Sequence, residues 1–166
     1  MPLVKEQPRY TYTSRIHQEI SGNIYYALRS FLEGKPCKVY AAPFAVRLFP
    51  AEDESDDTVV EPDITVVCDS SKLDDRGCKG APDLIIEIAS PATARYDRIV
   101  KFNKYREAGV REYWIAGPEE RAVFAYTLKN GEYTAAVYEK TAPVAVLPGC
   151  EIDLAAIFGA GEAVEA

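Results

Sequence analysis

The chain has 166 residues, 48% of them hydrophobic and 27% charged, the profile of one soluble globular domain spanning 1–166 around a single core. Its 19 Lys and Arg against 26 Asp and Glu leave a net charge of -7, so the whole repels phosphate backbones and anionic membranes, and any nucleic-acid contact must be local. No window approaches the roughly 18 apolar residues of a membrane span and MPLVKEQPRY opens no leader, which makes a cytoplasmic protein the expectation; four scattered cysteines, Cys37, Cys68, Cys78 and Cys150, read as reduced thiols and not as a zinc site, and the single His17 leaves triad chemistry only one base.

Ser14 is placed to cap a helix in which Ile16, Ile20, Ile24, Leu28, Phe31 and Leu32 recur at helical spacing, and Gly34 with Pro36 stops it. The run CKVYAAPFAVRLF predicts strand structure interrupted at Pro43. AEDESDD is then a loop, VVEPDITVV a strand ending near Cys68, and SSKLDDRGCKGAP an irregular connection. PDLIIEIAS predicts a short apolar strand stopped by Ser90 and Pro91. A second helix is expected from Ala94 to Ala108, with Ile99, Val100 and Phe102 on an apolar side, a basic opposite side, and Gly109 closing it. Strands EYWIAG, RAVFAYTL and EYTAAVYEK follow, the last two joined by a hairpin turn at Lys129-Asn130-Gly131, and PVAVLPGCEIDLAAIF ends in a short helix. This order describes a mixed α/β or α+β domain on one curved central sheet.

Charge is polarised along the chain. Residues 51–93 carry 12 acidic against 3 basic side chains, and residues 94–111 carry 6 basic ones, Arg95, Arg98, Lys101, Lys104, Arg106 and Arg111, against 2 acidic. Such an island is either a solvated helix face or a guide for phosphates.

The strands around 63–68 and 83–89 are most simply antiparallel neighbours, which sets Asp63 opposite the region of Glu87 and Ile88. Two convergent carboxylates suffice for a hard divalent cation whose shell water and a phosphate oxygen complete. Asp83 stands about 13 Å from Glu87, four residues at about 3.3 Å each, and is better suited to fixing the start of its strand. Asp97, Lys101 and Tyr105 share one face of the second helix at i, i+4 and i+8. Lys101 could form an exposed pair with Asp97, or it could reach back to the carboxylates and steady a water or a growing phosphoryl charge.

Taken together, Glu61-Pro62-Asp63, Pro82-Asp83-Leu-Ile-Ile-Glu87-Ile-Ala-Ser90-Pro91, Asp97-x-x-x-Lys101-x-x-x-Tyr105, Gly109-Val110 and Glu112-Tyr113-Trp114 form an ordered set. This set resembles the Uma2 family of restriction-endonuclease-like proteins, mostly bacterial, within the PD-(D/E)xK nuclease superfamily. The resemblance implies a restriction-endonuclease-like core, a mixed central β-sheet flanked by helices. It implies Asp63 and Glu87 as ligands of Mg2+ or Mn2+, a metal-activated water as nucleophile against a DNA phosphodiester, and a homodimer where both strands are cut. Ala89 stands where the superfamily pattern has its lysine, and the resemblance transfers that role to Lys101, with Lys104 as the substitute. It also points to an acid on the first helix, where Glu19 is the candidate beside His17.

Three functions are therefore open: a Mg2+-dependent endonuclease guided by Arg95, Arg98 and Lys104 with Lys35 and Lys38, a nuclease fold that binds nucleic acid or a partner without cutting, and an unrelated hydrolase or small-molecule protein with an acidic pocket. Tyr10, Tyr12, Tyr25 and Tyr26 could stack on bases, although core packing is the commoner use, and Trp114 reads as core.

Overall fold

In the computed structural model, which describes residues 13–159 apart from 54, 57 and 91–93 and only the backbone of 94–97, the first element is helix α1 (Arg15–Leu32). The Ser14 hydroxyl caps it, accepting the His17 N–H at 3.0 Å and satisfying one otherwise free amide of the first turn. Ile20, Ile24, Leu28 and Leu32 form its buried face at the predicted spacing, while Ile16 is exposed. The next apolar run divides at Pro43 into β1 (Lys38–Ala41) and β2 (Val46–Arg47).

The strand predicted to run up to Cys68 is also divided. Glu61-Pro62-Asp63 breaks it into β3 (Val59–Val60) and β4 (Ile64–Val67), since a proline donates nothing to a ladder. The connection expected to be irregular contains a short 3-10 turn and two small strands, β5 (Leu73–Asp74) and β6 (Gly77–Lys79). These join β2 and β3 in a four-stranded sheet of order β3-β2-β6-β5. Gly77 makes that sheet possible, with a φ of 117° and a backbone so close to Ala45 that a Cβ would strike its carbonyl oxygen.

The remaining elements are β7 (Leu84–Ile88), α2 (Ala94–Ala108), β8 (Glu112–Gly117), β9 (Ala122–Lys129), β10 (Glu132–Tyr138), β11 (Thr141–Pro143), β12 (Glu151–Asp153) and α3 (Leu154–Phe158). Asn130 and Gly131, both at positive φ, close the β9–β10 hairpin as the Asn-Gly pair requires. Ile99 is 64% exposed, so Phe102 and Tyr105, and not Ile99, carry the packed side of α2.

The main sheet is six-stranded, ordered β1-β4-β7-β8-β9-β10, and mixed: β7 and β8 are parallel across the α2 crossover, and the other pairs are antiparallel. It is accompanied by the four-stranded sheet and the β11–β12 pair, where the sequence suggested one sheet alone. The fold class is α+β with a mixed central sheet and flanking helices. Both faces of the sheet are covered, which is why β4 and β7 read as continuous apolar runs. Ile64, Val66, Leu84, Ile86 and Trp114 pack with α1 and α3, whereas Val67, Ile85, Tyr113 and Ile115 pack with Tyr105 of α2 and Val46 and Cys78 of the smaller sheet. Trp114 is fully buried, as expected of core; Tyr25 packs against that core, Tyr26 is exposed, and Tyr10 and Tyr12 lie outside the described residues.

The expectation of four reduced thiols is corrected. Cys37 and Cys68 form a disulfide, with Cα atoms 4.0 Å apart, and Cys78 and Cys150 are free and buried. The physical reason is register: Lys38 pairs with Val67 across β1 and β4, so one step outward sets Cys37 directly opposite Cys68. No helix among the described residues is long and apolar enough to cross a membrane.

Candidate active site

The β4–β7 ladder pairs Ile64 with Ile86, Thr65 with Ile85 and Val66 with Leu84. One step further along, Asp63 faces Glu87, on the α2 side of the sheet that Ile85 shares. Each carboxylate is then held by a different helix. Asp63 Oδ2 accepts the Ile88 N–H at 2.8 Å and lies 3.2 Å from Nε2 of His17 on α1. Glu87 Oε2 accepts from Lys101 Nζ at 3.1 Å, and Oε1 accepts from the Tyr105 hydroxyl at 3.1 Å. Lys101 and Tyr105, one helical turn apart, thus grip the two oxygens of one carboxylate.

Electrostatics follow from this enclosure. Burial pushes the Glu87 pKa above its ordinary value; the Lys101 charge is the chief opposing influence, and the Asp63 charge pushes it up further. Burial and then the Glu87 charge raise the Tyr105 phenol, so it stays a donor. The hydrogen bond to Asp63, with the charges of Asp63 and Glu87 behind it, raises His17 against the effect of its own burial. His17 Nδ1 is buried without a hydrogen-bond partner.

The other candidates lie elsewhere. Asp83 Oδ2 accepts the Cys68 N–H at 2.7 Å and Oδ1 pairs with Arg111 at 3.0 Å, an arrangement that fixes the start of β7. Glu19 is exposed and pairs with Arg15 at 2.7 Å, away from the carboxylates. Lys104 is exposed, whereas the Arg98 Nε is buried without a partner. Lys35 hydrogen-bonds the Phe31 carbonyl at the far end of α1, about 27 Å from its start by helical rise, and Lys38 is likewise at the distant end of β1. The side chains of Arg95 and Asp97 lie outside the described residues. The sequence offers His17 as the one possible triad base and as a candidate beside Glu19 on the first helix, and nothing in the spacing alone connects it to Asp63.

A family model described as "Putative restriction endonuclease", Uma2, matches residues 6–155. The chain belongs to the Uma2 family. A crystal structure of a "putative nuclease belonging to DUF820" from Anabaena variabilis superposes on this Uma2 chain with a TM-score of 0.68 at 17% identity, covering 90% of this chain and 84% of that one. At that identity the likeness speaks for the shared fold. No curated protein matches.

The residues of this Uma2 chain fit a hard divalent cation. Asp63 and Glu87 are an opposed carboxylate pair whose mutual repulsion is felt in the raised Glu87, and Asp63 Oδ1 accepts no hydrogen bond among the described residues. Among those residues no group of three or more His, Cys, Asp or Glu is gathered to hold a metal. Two carboxylates alone are not the closed four-ligand cage of a structural zinc, and their oxygens are the donor type that hard divalent cations take.

Proposed function

We propose that this protein is a divalent-cation-dependent endodeoxyribonuclease, with Asp63 and Glu87 holding Mg2+ or Mn2+. The observation that carries the reading is the opposed Asp63–Glu87 pair with Lys101 Nζ 3.1 Å from Glu87. When bound, the cation supplies charge neutralisation at the phosphate and lowers the pKa of a neighbouring water.

The chain's own groups do the rest. Ala89, past the end of β7, has its N–H tied to Ala116 and a side chain too short to bear a charge, so the ammonium must come from elsewhere. Lys101 supplies it from α2, where it can orient the attacking water or offset the negative charge growing on the phosphoryl group. Tyr105 fixes the Glu87 carboxylate from its other oxygen, and Lys104, Arg95 and Arg98 belong to the helix along which the phosphate backbone would run. Cutting both strands would take a homodimer, with one site for each.

The test is calorimetry of Mg2+ and Mn2+ with the wild type, Asp63→Ala and Glu87→Ala, alongside plasmid nicking in the same buffers. Binding and nicking are expected in the wild type and lost in both variants. Nicking that survives Asp63→Ala overturns the proposal, and a wild type that retains DNA but neither binds the ions nor nicks would instead identify a non-cutting binding module.

A further inference from the structure

Next to the carboxylate pair, α1 and the turn after β1 enclose a groove of about 400 Å3 that opens at Asp63 and His17. Gln18, Ser21, Gly22, Tyr25, Pro43 and Glu61 line it. Its volume can admit a group the size of a nucleobase, and the groove lies open to solvent along one side.

Charge restricts what it can hold. Besides His17, which Asp63 already engages, the ionisable side chains of the lining are those carboxylates and the Tyr25 phenol, and no Lys or Arg contributes among the described residues. Without a cation at Asp63 and Glu87 the lining repels phosphate, and the ligand that fits within the groove itself is neutral and rich in hydrogen-bond donors. Gln18, Ser21 and Glu61 offer acceptors, while Tyr25 and Pro43 offer the flat surfaces on which bases stack.

Gly22 adds an independent observation. It lies inside α1, where glycine weakens a helix relative to alanine, yet a Cβ built on it meets nothing within 4 Å. Packing within the chain does not require the glycine. A side chain at this exposed position would take up part of the groove.

We propose that the groove is a subsite for an unpaired nucleobase carrying an exocyclic amino group, adenine, cytosine or guanine. The inference rests on the nuclease reading, which brings a phosphate to Asp63 and Glu87, and it names the substrate class: single-stranded or locally opened DNA, with the base next to that phosphate turned into the groove. The amino group donates to the Glu61 carboxylate. Thymine has no exocyclic amino group to offer, and a base within a duplex has its Watson–Crick edge occupied and must be flipped out first.

The experiment is fluorescence anisotropy of labelled oligo-dA, oligo-dC and oligo-dT 12-mers and of an oligo-dA·oligo-dT duplex at pH 8, in EDTA and again with Ca2+. Wild type, Glu61→Gln and Gly22→Leu are compared, with melting temperatures of each and of Gly22→Ala. The wild type is expected to bind oligo-dA and oligo-dC about fivefold or more tighter than oligo-dT. It should also prefer single strands to the duplex. Glu61→Gln should reduce the base ratio towards one, and Gly22→Leu should weaken binding of oligo-dA about tenfold, the loss of roughly one stacked base. Gly22→Ala should melt at a higher temperature than the wild type. Equal affinity for oligo-dT, a base ratio unchanged in Glu61→Gln, or no affinity for single strands in either buffer overturns the subsite. Should Gly22→Leu fail to fold, Glu61→Gln, altered at an exposed position, decides alone. Lost nicking with an intact base preference would sink the nuclease chemistry and leave the subsite standing; intact nicking without base preference would do the reverse.

Discussion

Replacing Lys101 by Met keeps the length of the side chain and removes the ammonium that faces Glu87 at 3.1 Å. Breaking a fully buried ion pair costs about 3–5 kcal/mol, because the orphaned charge has no solvent. Here the Glu87 side chain is 15% exposed and that of Lys101 36%, so water reaches the pair. The expected loss is therefore about 1–2 kcal/mol at neutral pH. Glu87 already titrates above its ordinary value because of burial, and Lys101 is the chief charge holding that shift in check, so the variant pushes it higher still. The sign of the pH dependence follows. Stability that depends on Glu87 being neutral is fully present below its unfolded pKa and lost as pH rises through the folded one. Lys101→Met should accordingly match the wild type most closely in acid and fall furthest behind at neutral pH. Urea unfolding in EDTA across pH 4–8 measures this, and the double variant Glu87→Gln/Lys101→Met should recover most of the lost stability while remaining unable to nick DNA. A deficit that grows on acidification, or no recovery in the double variant, would refute the pairing as the source of the effect.

Two further outcomes are expected. Glu112 is a buried carboxylate accepting from the Trp114 indole at 2.7 Å and from the Val146 and Ala145 amides at 3.0 and 3.2 Å, so Glu112→Ala strands three donors and should cost about 3–5 kcal/mol in urea unfolding. A loss under about 1 kcal/mol would show that water replaces the carboxylate readily. The Arg47 guanidinium, 2.5 Å from Asp74, holds that carboxyl below the ordinary carboxylate range, so its stabilisation is present above that range and lost as pH falls through the lowered value. Asp74→Asn should be the less stable protein at pH 7, with the gap closing below about pH 4; unfolding midpoints over pH 2–7 check this, and a constant gap would argue against it.

The long periodic elements were legible from the sequence. Helix α1 runs between its Ser14 cap and the Gly34 turn, and α2 has the bounds that the Ala94–Ala108 pattern implies. Strands β5 and β6, and the division of the predicted strands that sets β2 and β3 apart, escaped because two or three residues are too few to show a period, and the pairing of β2 with β3 and β6 joins distant segments. The disulfide escaped for a related reason: Cys37 and Cys68 are 31 residues apart, and only the β1–β4 register makes them neighbours. Within the candidate site, the juxtaposition of Asp63 and Glu87 could be worked out from antiparallel pairing, and the shared face of Lys101 and Tyr105 from helical spacing. Which way that face turns depends on the packing of α2. His17 and Glu19 show the limit most plainly: two residues on a helix are separated by about 200°, so once His17 turns inward to Asp63, Glu19 must point to water.

The aromatic layer under α2 acts as a vernier for the carboxylate above β7. Phe102 meets Tyr126 and Tyr133 edge-on at 5.1 and 5.2 Å between ring centres, and Tyr105 meets Tyr113 at 4.9 Å. A slip of α2 by a single turn would carry Lys101 about 5.4 Å along the axis, well outside hydrogen-bond reach of Glu87. The placing of one ammonium is thus calibrated by rings that never touch it, and enlarging or trimming Tyr126 or Tyr133 would detune the site from a distance while leaving each of its polar residues in the chain.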